Sequence, residues 1–380
     1  MFRRGGLDAD MELMLADLII HWLIRGAGDS KLKQVVLLEL AAGRAQEHGA
    51  MPMNSGRPGT FDAADMAAKD NYGTAAALVK CHHESRGGVR GLVESGITSV
   101  PPYFQSPAPG SPAVEKTTTF AMPTIDLSLP RAAIVSLVGE AARTCGIFYV
   151  TNHGVDAGAA VSAVRTFHEL PLASRSPLYT ITPVDGVTYG TMPYAPGQGV
   201  GPLLPWQDCL RFLSSTPDFG RIPEVCRDAL VEHRRRMEEF GKEMAGMLLE
   251  ALGVGPERLD VEGWLMACHY YPPCPEPERA VGAAEHTDPC VLTVLAQDDV
   301  GGLQFRLDGG SNNGAWVDVP PVPGALLVNI GDVLKCATVV VAMVRVAVDA
   351  LRAARAVVVK CGTITMDIID ATSLPTAIKR

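Results

Sequence analysis

The chain has 380 residues, 47% hydrophobic and 20% charged, a balance that fits a globular protein with a sizeable core and not a disordered one. A net charge of -9, with Arg234-Arg235-Arg236 as its basic cluster, argues against nucleic acid as a partner. Nine cysteines, an odd number without Cys-x-x-Cys pairs, suit a reducing compartment better than a disulfide framework or a zinc ribbon.

In chain order, residues 1–70 show two stretches at helical spacing, 13–24 and 32–45, and then a Gly/Pro/Met-rich linker at 49–58. They read as an extension without a catalytic role. The apolar run at 11–24 carries Glu12, Asp17 and His21 and falls short of the ~20 apolar residues of a membrane span. Asp8 and Asp10 oppose the basic start of a signal peptide. A soluble cytoplasmic monomer without a membrane partner is expected.

A Pro-rich linker follows at 106–113, then a short strand at 123–127 that ends before Pro130. Ile134, Leu137, Val138, Ala141 and Ala142 recur at helical spacing, and Gly146 closes that helix. Residues 147–150 read as a buried strand running into a turn at His153, where a hydrogen-bonded turn histidine is a commoner fate than a metal ligand. A second helix runs to Pro171, and residues 181–205, rich in Gly and Pro, read as loops. Residues 206–212 form a strand, and Pro223 suits the first turn of a long helix reaching about Leu252. Its Met237, Met244 and Met247 stripe is core filling, and Arg234-Arg235-Arg236 beside Glu238 and Glu239 reads as a solvated face.

Beyond residue 264 the pattern switches to period two. Leu292 and Val294 share a face, as do Leu303 with Phe305 and Leu326 with Val328 and Ile330, with turn residues at 309–314. Such short strands suit a jelly roll. Within this region stands His286-Thr287-Asp288. Residues two apart on a strand point the same way, so an imidazole and a carboxylate would converge on one point, a pairing suited to a divalent metal. Alone the triplet is a weak signal, because His and Asp are common in surface turns.

The triplet does not stand alone. The run His269-Tyr270-Tyr271-Pro272-Pro273-Cys274-Pro275, His286-Thr287-Asp288-Pro289, Gly301-Gly302-Leu303-Gln304-Phe305, Trp316-Val317-Asp318-Val319 and Pro323-Gly324 through Gly331-Asp332 resembles the plant 2-oxoglutarate/Fe(II)-dependent dioxygenases. Within these it is similar to the aminocyclopropane-carboxylate-oxidase-like and benzoxazinoid-type hydroxylase branch. The resemblance extends over about residues 71–335. It implies a mainly β fold with α, a double-stranded β-helix (jelly roll) core behind an α-helical N-terminal region. It divides the chain into an extension (1–70), an N-terminal region (71–215), the core (216–335) and a divergent tail (336–380). It implies Fe(II) held by His286 and Asp288, 2-oxoglutarate as co-substrate touching Tyr271, with His269 lining the same wall, and ascorbate as a supportive reductant. O2 and a small specialised metabolite would be the reacting partners.

Three protein ligands on one face leave positions for a chelating co-substrate and O2. The family's second histidine and its Arg-x-Ser carboxylate clamp should follow Asp332. No histidine occurs after His286, and no Arg-x-Ser occurs after Asp332. Nothing in the context of Asp349 or Cys361 supports either as a third ligand. From Cys336 the chain becomes Val/Ala-rich, so the last core strands are expected to be missing or altered, with two sheet edges laid bare. Three readings stay open: a tail that replaces the true one, a catalytically inactive jelly-roll relative, or a product that does not fold.

Overall fold

Alternating apolar residues and three amphipathic helices sort the described residues into two main sheets and a two-stranded parallel pair, with a helical layer outside the largest sheet. The computed structural model describes residues 77–105, 120–193, 204–212, 218–255, 259–261, 264–288, 290–306, 316–332, 334–335, 357–359, 362–369 and 376–379. All of them belong to one unit, Ala63–Arg380. The extension at 1–70, the linker at 106–113, the turn at 309–314, Asp349 and Cys361 lie outside the described residues.

Among the helices are α1 (Gly88–Glu94), α2 (Arg131–Thr144), α3 (Gly158–His168) and α4 (Glu224–Ala251). The strands begin with β1 (Thr124–Asp126), β2 (Ile147–Thr151), β3 (Thr180–Val184), β4 (Val187–Gly190) and β5 (Asp208–Phe212). Next come β6 (Leu259–Val261), β7 (Trp264–Tyr271), β8 (Val281–Ala283), β9 (Leu292–Gln297) and β10 (Leu303–Arg306). The last are β11 (Trp316–Val319), β12 (Leu326–Ile330), β13 (Val357–Val359), β14 (Gly362–Ile369) and β15 (Thr376–Lys379). The large sheet runs β1-β2-β12-β9-β14-β7-β5-β4-β3 and the small one β11-β10-β15-β8.

Period two decides which residues enter which core. Leu292, Val294, Leu326 and Val328 face the helices, packed with Met237, Met244 and Met247 of α4. Their neighbours Leu295 and Leu327 face the other way and meet Leu303 and Val319 of the small sheet, with Tyr271, Ile147 and Tyr149. A double layer with a shared apolar interior is the jelly-roll arrangement.

Several details depart from the sequence expectation. The loop expected at 181–205 contains the β3–β4 hairpin. Its turn is Asp185-Gly186, with φ of 49° and 78° and Val184 paired to Val187. Positive φ at both central residues matches the right-handed strand twist, and Asp-Gly supplies it at low cost. Arg234 is not on the solvated face: it is 5% exposed, donates to Glu238 and to the Trp264 carbonyl, and ties α4 to β7. Arg235 and Arg236 do lie outside, paired with Glu232. Leu137 is 39% exposed, on the flank of the stripe made by Ile134, Val138 and Ala141.

The expectation of two bare sheet edges is not met. β14 lies between β7 and β9, and β15 between β10 and β8, so the tail fills a position in each sheet. Their direction is altered: an antiparallel jelly roll alternates strand directions, whereas β14 and β15 run parallel to both of their neighbours.

A buried polar clasp joins α1 to the sheet. The Asp208 carboxylate accepts from the backbone N–H groups of Val89 and Arg90 at the start of α1, both at 2.9 Å, and from the Thr191 hydroxyl at 2.7 Å. His82 Nε2 meets the same hydroxyl at 2.9 Å. Arg175, fully buried, donates to Glu94 at the other end of α1 and to Tyr189.

Candidate metal centre

His286 and Asp288 do not sit on a strand. They follow the end of β8, in a segment without regular structure. Their side chains still meet: Nε2 of His286 lies 3.4 Å from Oδ1 of Asp288, with the side chains 27% and 16% exposed. Nδ1 of His286 is 2.8 Å from the Ala284 carbonyl oxygen. A carbonyl only accepts, so Nδ1 donates to it, and Nε2 is the ring nitrogen turned toward Oδ1. With Nε2 free of its proton, that nitrogen and the carboxylate oxygen would both offer lone pairs to a cation between them.

Asp288 is held from behind. Its Oδ2 accepts from the Thr293 hydroxyl at 2.6 Å and from the Asn329 amide at 2.9 Å. Both donors come from adjacent strands of the large sheet, where Asn329 is the register partner of Thr293. Oδ1 is thereby the oxygen turned toward His286. The Asp288 carbonyl accepts from the N–H groups of Cys290 (2.8 Å) and Asp332 (2.9 Å), and the Asp332 carboxylate accepts from Thr287 at 2.6 Å. Gly331 closes this wall: a Cβ there would stand 2.1 Å from the Cys290 carbonyl oxygen.

His286, Thr287, Asp288, Asn329 and Asp332 line a cleft of about 910 Å³. Its apolar wall includes Ile147, Leu303, Phe305 and Leu327, and Arg143, Arg306 and Lys335 stand among its lining. Arg306 is paired with Glu285 and lies over Trp316.

Tyr271 and His269 are not among the residues of the cleft wall. Tyr271 is 1% exposed, inside the inter-sheet core, and His269 is half-buried with its ring 6.3 Å from that of Tyr271. His153 is a turn histidine whose ring contacts the Gly324 carbonyl and accepts from the Val155 N–H, and burial holds its pKa below the usual value. Asn329 and Gly331 fall within the run that carries the family resemblance, yet that resemblance assigns no role to them or to Thr293; the register of β9 against β12 brings Thr293 and Asn329 to Asp288.

Comparison with known proteins gives the class. Residues 263–340 match the model of the 2OG-Fe(II) oxygenase superfamily, and residues 122–228 match the N-terminal model of the non-haem dioxygenases in morphine synthesis. Over 281 residues the chain is 34% identical to 1-aminocyclopropane-1-carboxylate oxidase homolog 1 of Arabidopsis thaliana, covering 69% of this chain and 74% of that one. It is 32% identical over 278 residues to deacetoxyvindoline 4-hydroxylase of Catharanthus roseus, covering 68% of each. A crystal structure of JOX2 with 2OG, Fe and JA superposes with a TM-score of 0.54 at 28% identity, over 65% of this chain and 74% of that one. The chain belongs to the plant branch of the 2-oxoglutarate/Fe(II) oxygenase family.

That family implies Fe(II) and 2-oxoglutarate, and the donor set here fits the metal in part. An imidazole nitrogen and a carboxylate oxygen 3.4 Å apart are close enough to share one ion. Among the described residues, no group of three or more His, Cys, Asp or Glu side chains could hold a metal ion. Among the described residues the site is one protein donor short of a facial triad.

Proposed function

We propose that this protein is a 2-oxoglutarate- and Fe(II)-dependent oxygenase by descent, built to hydroxylate or otherwise oxidise a small specialised metabolite, and that turnover by the present chain is slow or nil. The observation that carries the reading is the His286–Asp288 pair, braced by Thr293 and Asn329, at a cleft with apolar walls and basic residues in its lining. When bound, Fe(II) and 2-oxoglutarate would supply O2-dependent oxidation of a C–H bond, with succinate and CO2 as co-products. The chain's own residues do the positioning: Ala284 fixes the ring of His286, Thr293 and Asn329 fix Asp288, and Ile147, Leu303 and Leu327 keep water from the inner wall. A relative that holds 2OG, Fe and JA together supports a cavity that admits both a co-substrate and a second small molecule.

The missing third donor favours a second reading, a non-catalytic jelly-roll protein that still binds small molecules. Succinate release with Fe(II), ascorbate and candidate substrates, measured on this form and on a chimera with a restored tail, separates the two. Robust turnover by this form refutes slow catalysis. In a chimera whose residues after Lys335 are replaced by a tail with a His-Arg step and an Arg-x-Ser pair, turnover is expected to appear. A folded chimera that binds iron and releases no succinate establishes the binding-protein reading.

A further inference from the structure

Every other described arginine donates to a carboxylate or carbonyl oxygen, but Arg211 on β5 does neither. Its Nε is covered from solvent without a partner, and so is Oγ1 of Thr188, a residue 1% exposed. Thr188 and Arg211 are register partners on β4 and β5, so their side chains stand together on one face. We infer that Arg211 and Thr188 form a subsite for a carboxylate of the substrate, which makes that substrate a small carboxylic acid with an apolar body. The inference rests on the oxygenase reading and adds the class of molecule the protein accepts.

Alternation fixes the face. Leu210 and Phe212 beside Arg211, with Met266, Cys268 and Tyr270 of β7, point to the helical layer and are buried. Arg211 and Thr188 therefore point the other way, to the side of the large sheet on which the small sheet lies, as do Cys209, Ala267 and His269. Arg211 and the inward Leu265 and His269 stay part-exposed there. That face of β4, β5 and β7 carries no acidic residue, and Asp367 of β14 is level with His269, two strands from β5. An uncompensated guanidinium beside an unpaired hydroxyl is costly to cover. Its planar fork matches the two oxygens of a carboxylate, and the hydroxyl can donate to either. Leu265 stands in the same cross-sheet row as Thr293, which braces Asp288. Three strand spacings, about 14 Å, separate β5 from β9. An arginine side chain and a small acid cover that span between them.

The test is calorimetric titration of the full chain, without turnover, with hydrocinnamate, its neutral amide, 2-oxoglutarate and inorganic phosphate. The acid is expected to bind about tenfold or more tighter than the amide. Arg211→Met should erase that preference and Thr188→Val should reduce it, with affinity for the amide unchanged in both. Arg211→Met keeps the aliphatic stem, so its melting temperature should equal or exceed the parent's. A lowered one would give Arg211 a structural role and overturn the inference. Equal affinity for acid and amide, binding of neither, or an acid preference that survives Arg211→Met also overturns it. Phosphate bound more tightly than the acid refutes the carboxylate assignment. An Arg211→Met effect confined to 2-oxoglutarate would give the pair to the co-substrate and refute the substrate assignment. If the acid preference is present and succinate is never released, the oxygenase reading fails and the carboxylate subsite stands. If succinate is released with uncharged substrates, equally in Arg211→Met, the oxygenase reading stands and this inference fails.

Discussion

Asp208→Asn is the most informative single change outside the metal centre. The carboxylate receives three donors: the Val89 N–H and Thr191 hydroxyl on Oδ1 and the Arg90 N–H on Oδ2. An amide keeps one acceptor oxygen and turns an NH2 group toward a donor that needs an acceptor. The lost bond to a charged acceptor is worth about 1.5–3 kcal/mol, and leaving a buried N–H unpaired adds about 1–3 kcal/mol. Against this stands relief from burying a charge, because burial is the leading influence that raises the Asp208 pKa. The net expectation is a loss of about 2–4 kcal/mol. Urea unfolding followed by far-UV circular dichroism measures it, and hydrogen exchange should show α1 as the first element to open. A variant within about 0.5 kcal/mol of the parent would refute the clasp.

Three further outcomes follow from the same structure. Gly331→Ala should displace the Cys290 carbonyl and the Asp288 backbone, lowering the melting temperature and weakening Mn(II) binding together; an unchanged melting temperature and Mn(II) affinity would show that the wall yields elsewhere. Burial holds His82 and His233 neutral, with pKa values lowered to about 4 from 6.5. Between those values the unfolded chain takes up protons that the folded chain refuses, so stability should fall as pH drops from 6.5 toward 4, by roughly 2 kcal/mol per histidine at pH 5; urea midpoints at pH 7 and pH 5 check this, and equal midpoints would oppose it. Removal of residues 1–62 should leave solubility and small-molecule binding unchanged, since no family motif falls there and the unit that carries the site spans Ala63–Arg380; a collapse of either would oppose it.

The sheets were legible because period two is imposed by burial: Leu292 with Val294, and Leu326 with Val328, could be placed on one face from spacing alone. The pairing of His286 with Asp288 was legible for the same reason, although the segment turned out to be irregular, since an extended backbone alternates its side chains whether or not it is hydrogen-bonded in a sheet. Arg234 was not legible. A guanidinium at the head of a triple-arginine run reads as solvent-facing, and only the approach of Trp264 to α4 gives it a buried acceptor. Thr293 and Asn329 were hidden in the same way, because their role depends on strand order. The tail was misjudged on chemistry: losing a motif was read as losing strands, yet a β-branched run can fill a sheet position with no motif at all.

The parallel insertion of β14 bears on how the chain is made. Trp264 pairs with Gly362 and Thr293 pairs with Thr363, so the edges of β7 and β9 are synthesised long before the strand that joins them. During that interval both edges offer unpaired N–H and C=O groups to any neighbouring extended segment. Nascent chains on one message carry the same pair of edges close together, which favours mispairing between copies. Yield of soluble protein should therefore respond to translation speed and to chaperone supply more than to the stability of the finished fold.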